Sequence, residues 1–334
     1  MLTNQSSPET TTAKSPFDDL DADIIIRSSD NIDFRVFKSM LSLASPFFKD
    51  MFKLPQTTDS DSHDIQGNDQ VYKDGFPVIV MYDDKNEAYK SEVVEKLLIF
   101  CHPACVPEPG DAGVLAEAAG AAAKYQMEGV ARMMLKYLVK SRPLMVFAFA
   151  CHFGLVEEAK VAARHTLRMR TVDFPREPML KMITAWQYHR LLEFHRRCGK
   201  DTSEVARGEW RFGHFEEMPH FSWITSQIRK SVWFLNERKE SCETSDQSIT
   251  TGADDATLSP KIWWTKYMEQ AASELELRPS AKTVMNHELM DRALRSASKC
   301  KFCKEKVFTK MRAFTNVFKA EVEGVISRVS FSFP

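Results

Sequence analysis

Cys300-Lys301-Phe302-Cys303 is the one Cys-x-x-Cys of the chain, and two thiolates at that spacing can take two corners of a tetrahedral zinc. Two more ligands are required. His195 and Cys198 offer them from the end of a predicted helix, with His214 and His220 in reserve. The expected metal set is therefore His195, Cys198, Cys300 and Cys303, holding a structural zinc. A second tight Cys-x-x-Cys is missing, so the plainer reading of the same residues is reduced thiols near helix ends. A redox role lacks its strand-helix-strand context. No other cofactor is expected.

Covalent catalysis finds no support. The chain has neither a G-x-S-x-G turn nor a glycine-rich nucleotide loop, and its 12 glycines are scattered. His152, His165, His189, His195 and Glu193 all fall within helical pattern, where a solvated or hydrogen-bonded structural role is the rule. The expectation is a protein that is not an enzyme; an enzyme in the C-terminal half would need a deep pocket with convergent polar groups. Arg292 to Lys319 is locally basic, with Phe302, Phe308 and Phe314 interleaved. That run reads as the solvated side of a helix.

These residues lie in a chain of 334, with 43% hydrophobic side chains and 45 basic against 46 acidic groups. Length and apolar content suffice for two or three packed domains. Balanced charge argues against general nucleic-acid affinity, so a nucleic-acid partner is not expected without a local patch. The N-terminus lacks the apolar run of a secretory signal. The most apolar stretch, Leu144 to Leu155, is about half the ~20 residues that span a bilayer and reads as a buried helix. Seven irregularly spaced cysteines suit a reducing compartment. An intracellular protein of cytoplasm or nucleus, with no membrane attachment, is expected.

Periodicity supplies the elements. Ile24-Ile25-Ile26 is a β-branched run, and Ile32, Phe34 and Val36 alternate with polar residues, which predicts two strands joined by a tight turn at Ser29 to Asn31. Met40, Leu41, Ala44, Phe47, Phe48, Met51 and Phe52 recur at helical spacing, broken near Pro46. A third strand is predicted at Pro77 to Tyr82, then a helix over Ser91 to His102. Beyond Val114 helical pattern takes over, with further helices at 178–198 and at 260–277, the last with Ser259 as cap. Val307, Met311, Phe314, Phe318, Val322, Val325 and Val329 form an unbroken apolar seam, read first as core and second as a partner contact. All six tryptophans lie in the C-terminal half, where burial is the first explanation. The organisation expected is a disordered tail over 1–16, a strand-and-helix domain over 17–140, a helical region over 141–236, a linker or loop over 237–259 and a second helical region over 260–334. The polar stretch 57–70 reads as a surface loop. The fold class is α+β: a small sheet covered by helices, then a mostly α-helical C-terminal region.

The segment DADIIIRSSDNIDFRVFKSMLSLASPFFKDMF, Asp21 to Phe52, resembles the opening of a BTB/POZ domain. Its motif positions fall on Asp23, Phe34, Lys38, Leu41, Ser45 and Phe48, with Phe37 where the family usually carries histidine, and Phe52 closing the stretch. The likeness extends over about 17–140 and includes AGAAAKYQM, Ala119 to Met127. The remainder more weakly resembles fungal BTB-domain proteins of mushroom-type genomes. The resemblance implies protein-protein interaction, with homodimerisation through the Phe17 to Ile26 and Phe37 to Phe52 regions. As an alternative it implies a substrate adaptor that holds a cullin ubiquitin ligase.

Overall fold

A computed structural model describes residues 10–54, 71–207, 235–236, 249–251 and 256–332. The chain divides into two compact units, Met1–Arg142 and Pro143–Pro334.

In the first unit, β1 is Thr11–Thr12, β2 Ile24–Arg27, β3 Ile32–Val36, β4 Tyr72–Lys73 and β5 Phe76–Val80, in the sheet order β1-β3-β2-β5-β4. All three isoleucines of β2 are buried, which is the reason an unalternating β-branched run takes the central place between β3 and β5. It pairs antiparallel with β3, Ile26 opposite Phe34, and parallel with β5, Ile26 opposite Ile79. The predicted turn forms: Asn31 takes a positive φ of 58°, and the Ile32 N–H donates to the Ser28 hydroxyl at 3.0 Å.

Of the disordered tail expected over 1–16, residues 1–9 lie outside the described residues, and Thr11–Thr12 corrects the rest, since this pair adds a parallel edge strand beside β3. A polar ion cluster holds that edge in place of apolar burial. Asp33, almost fully buried, accepts from Arg27 at 2.6 Å and from Lys73 at 2.7 Å, and Lys73 also donates to the Thr10 hydroxyl at 2.6 Å. Burial pushes the Asp33 carboxyl up, but the hydrogen bonds of Arg27 and Lys73 outweigh it and hold the group below the usual carboxylate range.

Helices α1, Lys38–Ala44, and α2, Pro46–Met51, follow, with the break at Ser45-Pro46 as the proline predicts. Then come α3, Ser91–Cys101, α4, Ala112–Lys124, and α5, Glu128–Leu138. Buried Ala118, Ala119, Ala121 and Ala122 let α4 approach its neighbours closely. The expected loop at 57–70 lies outside the described residues.

The second unit is mostly helical. Its α6, Pro143–His152, buries every residue from Pro143 to Cys151 and is apolar all round; α7, Val156–Thr166, follows. The helix expected at 178–198 divides: Pro178–Met182 is 3-10, and α8 runs Ala185–Arg207. Within the expected linker, 237–248 and 252–255 lie outside the described residues, whereas Ile249–Thr251 (β7) and Ala256–Pro260 (β8) pair with each other, and β8 pairs with β6, Leu235–Asn236. Ser259 and Pro260 thus end a strand; α9 begins later and covers Ile262–Leu277, with Lys261 as N-cap. After α10, Ala281–Val284, and α11, His287–Ser298, α12 spans Val307–Arg328.

Residues on both sides of the expected linker share one core. Val205 and Ala206 of α8 pack with Trp263, Trp264, Tyr267 and Met268 of α9 and with Phe314 and Phe318 of α12. Gly199 permits the α8–α9 approach, because a Cβ there would collide with the Glu276 carbonyl. The seam from Val307 to Val329 is buried throughout, consumed by its own unit.

Candidate functional site

The first helix is placed by residues that the sequence singled out. Asp23, just ahead of β2, accepts from the Lys38 backbone N–H at 2.6 Å, so its carboxylate serves as a cap for α1 from another element and meets the positive end of the helix. At the other end Ser45 is fully buried: its hydroxyl accepts from the Phe48 N–H at 3.1 Å and donates to the Tyr125 carbonyl at 2.5 Å. Phe48 stacks between Tyr125 and Phe52, with ring centroids 5.5 and 5.9 Å away. Phe34 packs edge-on to Phe17 at 5.8 Å.

This divides the motif set in two. Phe34, Leu41, Ser45 and Phe48 are core and offer nothing to a neighbour. Asp23, Phe37, Lys38 and Phe52 reach the surface, with the Lys38 ammonium over the Phe52 ring at 5.9 Å.

The outward side of α1 carries the feature of functional interest. Leu43 is 91% exposed, Phe37 37% and, on α5, Met133 39%. These three border an apolar groove of about 750 Å³ between α1, the end of α3 and the start of α5, floored by Met40, Phe100 and Val130. Among the described residues that line it there is no Asp, Glu, Lys or Arg, the composition of the desolvated centre of a protein interface. Cys101 belongs to the wall, and burial pushes its thiol up to about 12, so it remains a neutral apolar contact at physiological pH. His102, also in the wall, meets the Cys105 thiol through Nδ1 at 3.4 Å. Leu43 lies off the stripe of Met40, Leu41 and Ala44. An apolar side chain out of phase with its own helix was the available sequence signal, whereas the walls supplied by α3 and α5 left none.

The proposed zinc ligands are not brought together. His195 is buried on α8, and its Nε2 lies 2.8 Å from the Met169 carbonyl. A carbonyl only accepts, so Nε2 carries the proton and is spent on that bond; desolvation lowers the pKa of the ring. Cys198 is fully buried, and burial pushes its thiol up to about 12. Cys303 is buried in the core shared by α9 and α12, in the turn before α12. Among the described residues no group of three or more His, Cys, Asp or Glu is arranged to hold a metal. His214 and His220 lie outside the described residues, as do Trp210, Trp223 and Trp233. Trp263 and Trp264 are core, but Trp186 is 59% exposed, flanked by His189 and Arg190.

A hollow of about 230 Å³ on the second unit is lined by Glu269, Gln270, Ser273, Glu274, Leu289 and Arg292. Glu274 pairs with Arg278 and Arg292 with Glu288, so its charged groups are engaged as helix-face ion pairs. Among the described residues no helix is long and apolar enough to cross a membrane.

Residues 16–142 match the family model of the BTB/POZ domain. No curated protein matches the chain.

Proposed function

We propose that the BTB/POZ domain at 16–142, a protein-protein interaction module by type, works in this chain by pairing with a second copy of itself through the face built on α1. The supporting observation is that one surface carries both halves of a contact. Leu43 protrudes beside an apolar, uncharged groove, and a knob next to a hole on one patch is self-complementary about a two-fold axis. Met40 and Met133 give the groove adaptable walls. The helical second unit then carries the paired domains' further contacts or spaces them. Its likeness to fungal BTB-domain proteins belongs to the same reading and assigns no activity.

The competing reading from the sequence is an adaptor that holds a cullin. Both use the first unit, and two experiments together separate them. Light scattering of the full chain across a concentration series is expected to give twice the chain mass, and a mass of one chain at every concentration overturns the pairing. Capture of a cullin from cell extract by a variant that no longer pairs would favour the adaptor instead.

A further inference from the structure

The turn between α11 and α12 gathers Lys299, Lys301, Lys304 and Lys306 within eight residues, and α12 adds Lys310 and Arg312 in its first two turns. Against these six basic groups the interval 299–312 holds one acid, Glu305, in a chain whose formal net charge is −1. Read from sequence, this run is the wet side of a helix. The structure removes that explanation for Lys299 to Lys306, which form a turn.

The turn is built on Cys303. This side chain is buried, and its carbonyl accepts from the Lys306 and Val307 N–H groups at 3.1 and 2.9 Å, while the Cys300 carbonyl accepts from Lys304 at 3.1 Å. With that anchor, Lys301, Lys304 and Lys306 face solvent, and so do two large rings, Phe302 at 51% and Phe308 at 64% exposure. Neither ring is needed by the core. The cations also stand at the wrong end of a helix: α12 has Lys306 at its N-cap, no acidic residue in its first turn and no side-chain cap, where the helix dipole disfavours positive charge. A bound anion would reverse the sign of that arrangement.

We infer that this turn binds single-stranded nucleic acid, with the lysines against successive phosphates and Phe302 and Phe308 as stacking surfaces for unpaired bases. The alternation of cation and ring selects this partner. A single strand offers a phosphate and a flat base face with each nucleotide. A bilayer surface instead favours apolar side chains grouped on one face, whereas here the two rings are six residues apart with two lysines, Lys304 and Lys306, between them. An acidic peptide would satisfy the lysines and leave both rings unused.

The test is fluorescence anisotropy of the full chain with a labelled single-stranded DNA of mixed sequence. Four or five phosphate contacts, each adding about −0.7 to the logarithmic salt slope, predict a roughly 50- to 130-fold loss of affinity between about 50 and 200 mM salt. Reversing three charges in one variant, Lys301→Glu, Lys304→Glu and Lys306→Glu, is expected to flatten that slope by about 2. The double variant Phe302→Ala, Phe308→Ala keeps the slope and weakens single-strand binding about tenfold or more, with little effect on a duplex of equal length. All these side chains are exposed, and circular dichroism confirms folding. Salt-independent binding, or binding unchanged by the charge reversals, overturns the inference. So does binding to phosphatidylserine vesicles or to polyglutamate with none to the oligonucleotide.

Discussion

Leu43→Asp is the sharpest probe of pairing through α1. At 91% exposure the side chain contributes almost nothing to the isolated chain, so the substitution should alter folding stability by no more than about 0.5 kcal/mol. In a two-fold pair the same residue is buried twice. Burial of a leucine is worth about 1.5–3 kcal/mol, so its loss from both copies removes about 3–6 kcal/mol, equivalent to roughly 10²- to 10⁴-fold in dissociation constant. The aspartate adds to this, because its carboxylate would enter a groove whose described lining residues include no lysine or arginine. Sedimentation equilibrium over a hundredfold range of concentration reads the effect, and Leu43→Met, which keeps apolar bulk, should pair nearly as well as the native chain. Dimers of unchanged affinity in Leu43→Asp would refute the reasoning, and so would equal losses in both variants.

Ser45→Ala removes a cap of α2 and leaves the Tyr125 carbonyl without its buried donor; a loss of about 2–3 kcal/mol in urea unfolding is expected, and less than about 0.5 would mean that the serine is not holding α2 against Tyr125. Gly199→Ala, a change that usually stabilises a helix interior by about 0.5–1 kcal/mol, should here destabilise by about 1–3 because the methyl group meets the Glu276 carbonyl; a rise in melting temperature refutes the close α8–α9 crossing. The Asp33 carboxyl is held low in the folded state, so its contribution is fully present above the ordinary carboxylate value of about 3.9 and is lost as pH falls through the lower folded value. Urea midpoints measured from pH 6 down to pH 3 should therefore fall less steeply in Asp33→Asn than in the native chain, and parallel curves would contradict the ion cluster.

The element order of the first unit could be read from the chain because its causes are local. Ile24 to Ile26 is a β-branched run bounded by polar residues, which favours a strand, and Pro46 interrupts the helical spacing between Met40 and Phe52. The second unit yielded less, for a reason visible at Ser259-Pro260. That pair reads as a helix start by local rules, yet its residues end β8. The edge strand Thr11–Thr12 was likewise invisible, since threonines with no apolar neighbours carry no strand signal, and what holds them is an ion cluster assembled from residues 10, 33 and 73.

Residue types and spacing by themselves determined that Ile24 to Ile26 form a strand, that α1 and α2 break at a proline, and that the Val307 to Val329 seam is one apolar face, because each depends on the period of its own element. Whether an apolar residue faces core or solvent, and whether two distant groups meet, depends on which element lies opposite, and only the tertiary structure decided it. That is why Leu41 is buried and Leu43 bare two residues apart, why the groove acquires walls from α3 and α5, and why His195 and Cys198 are buried on α8 without being grouped with Cys300 and Cys303.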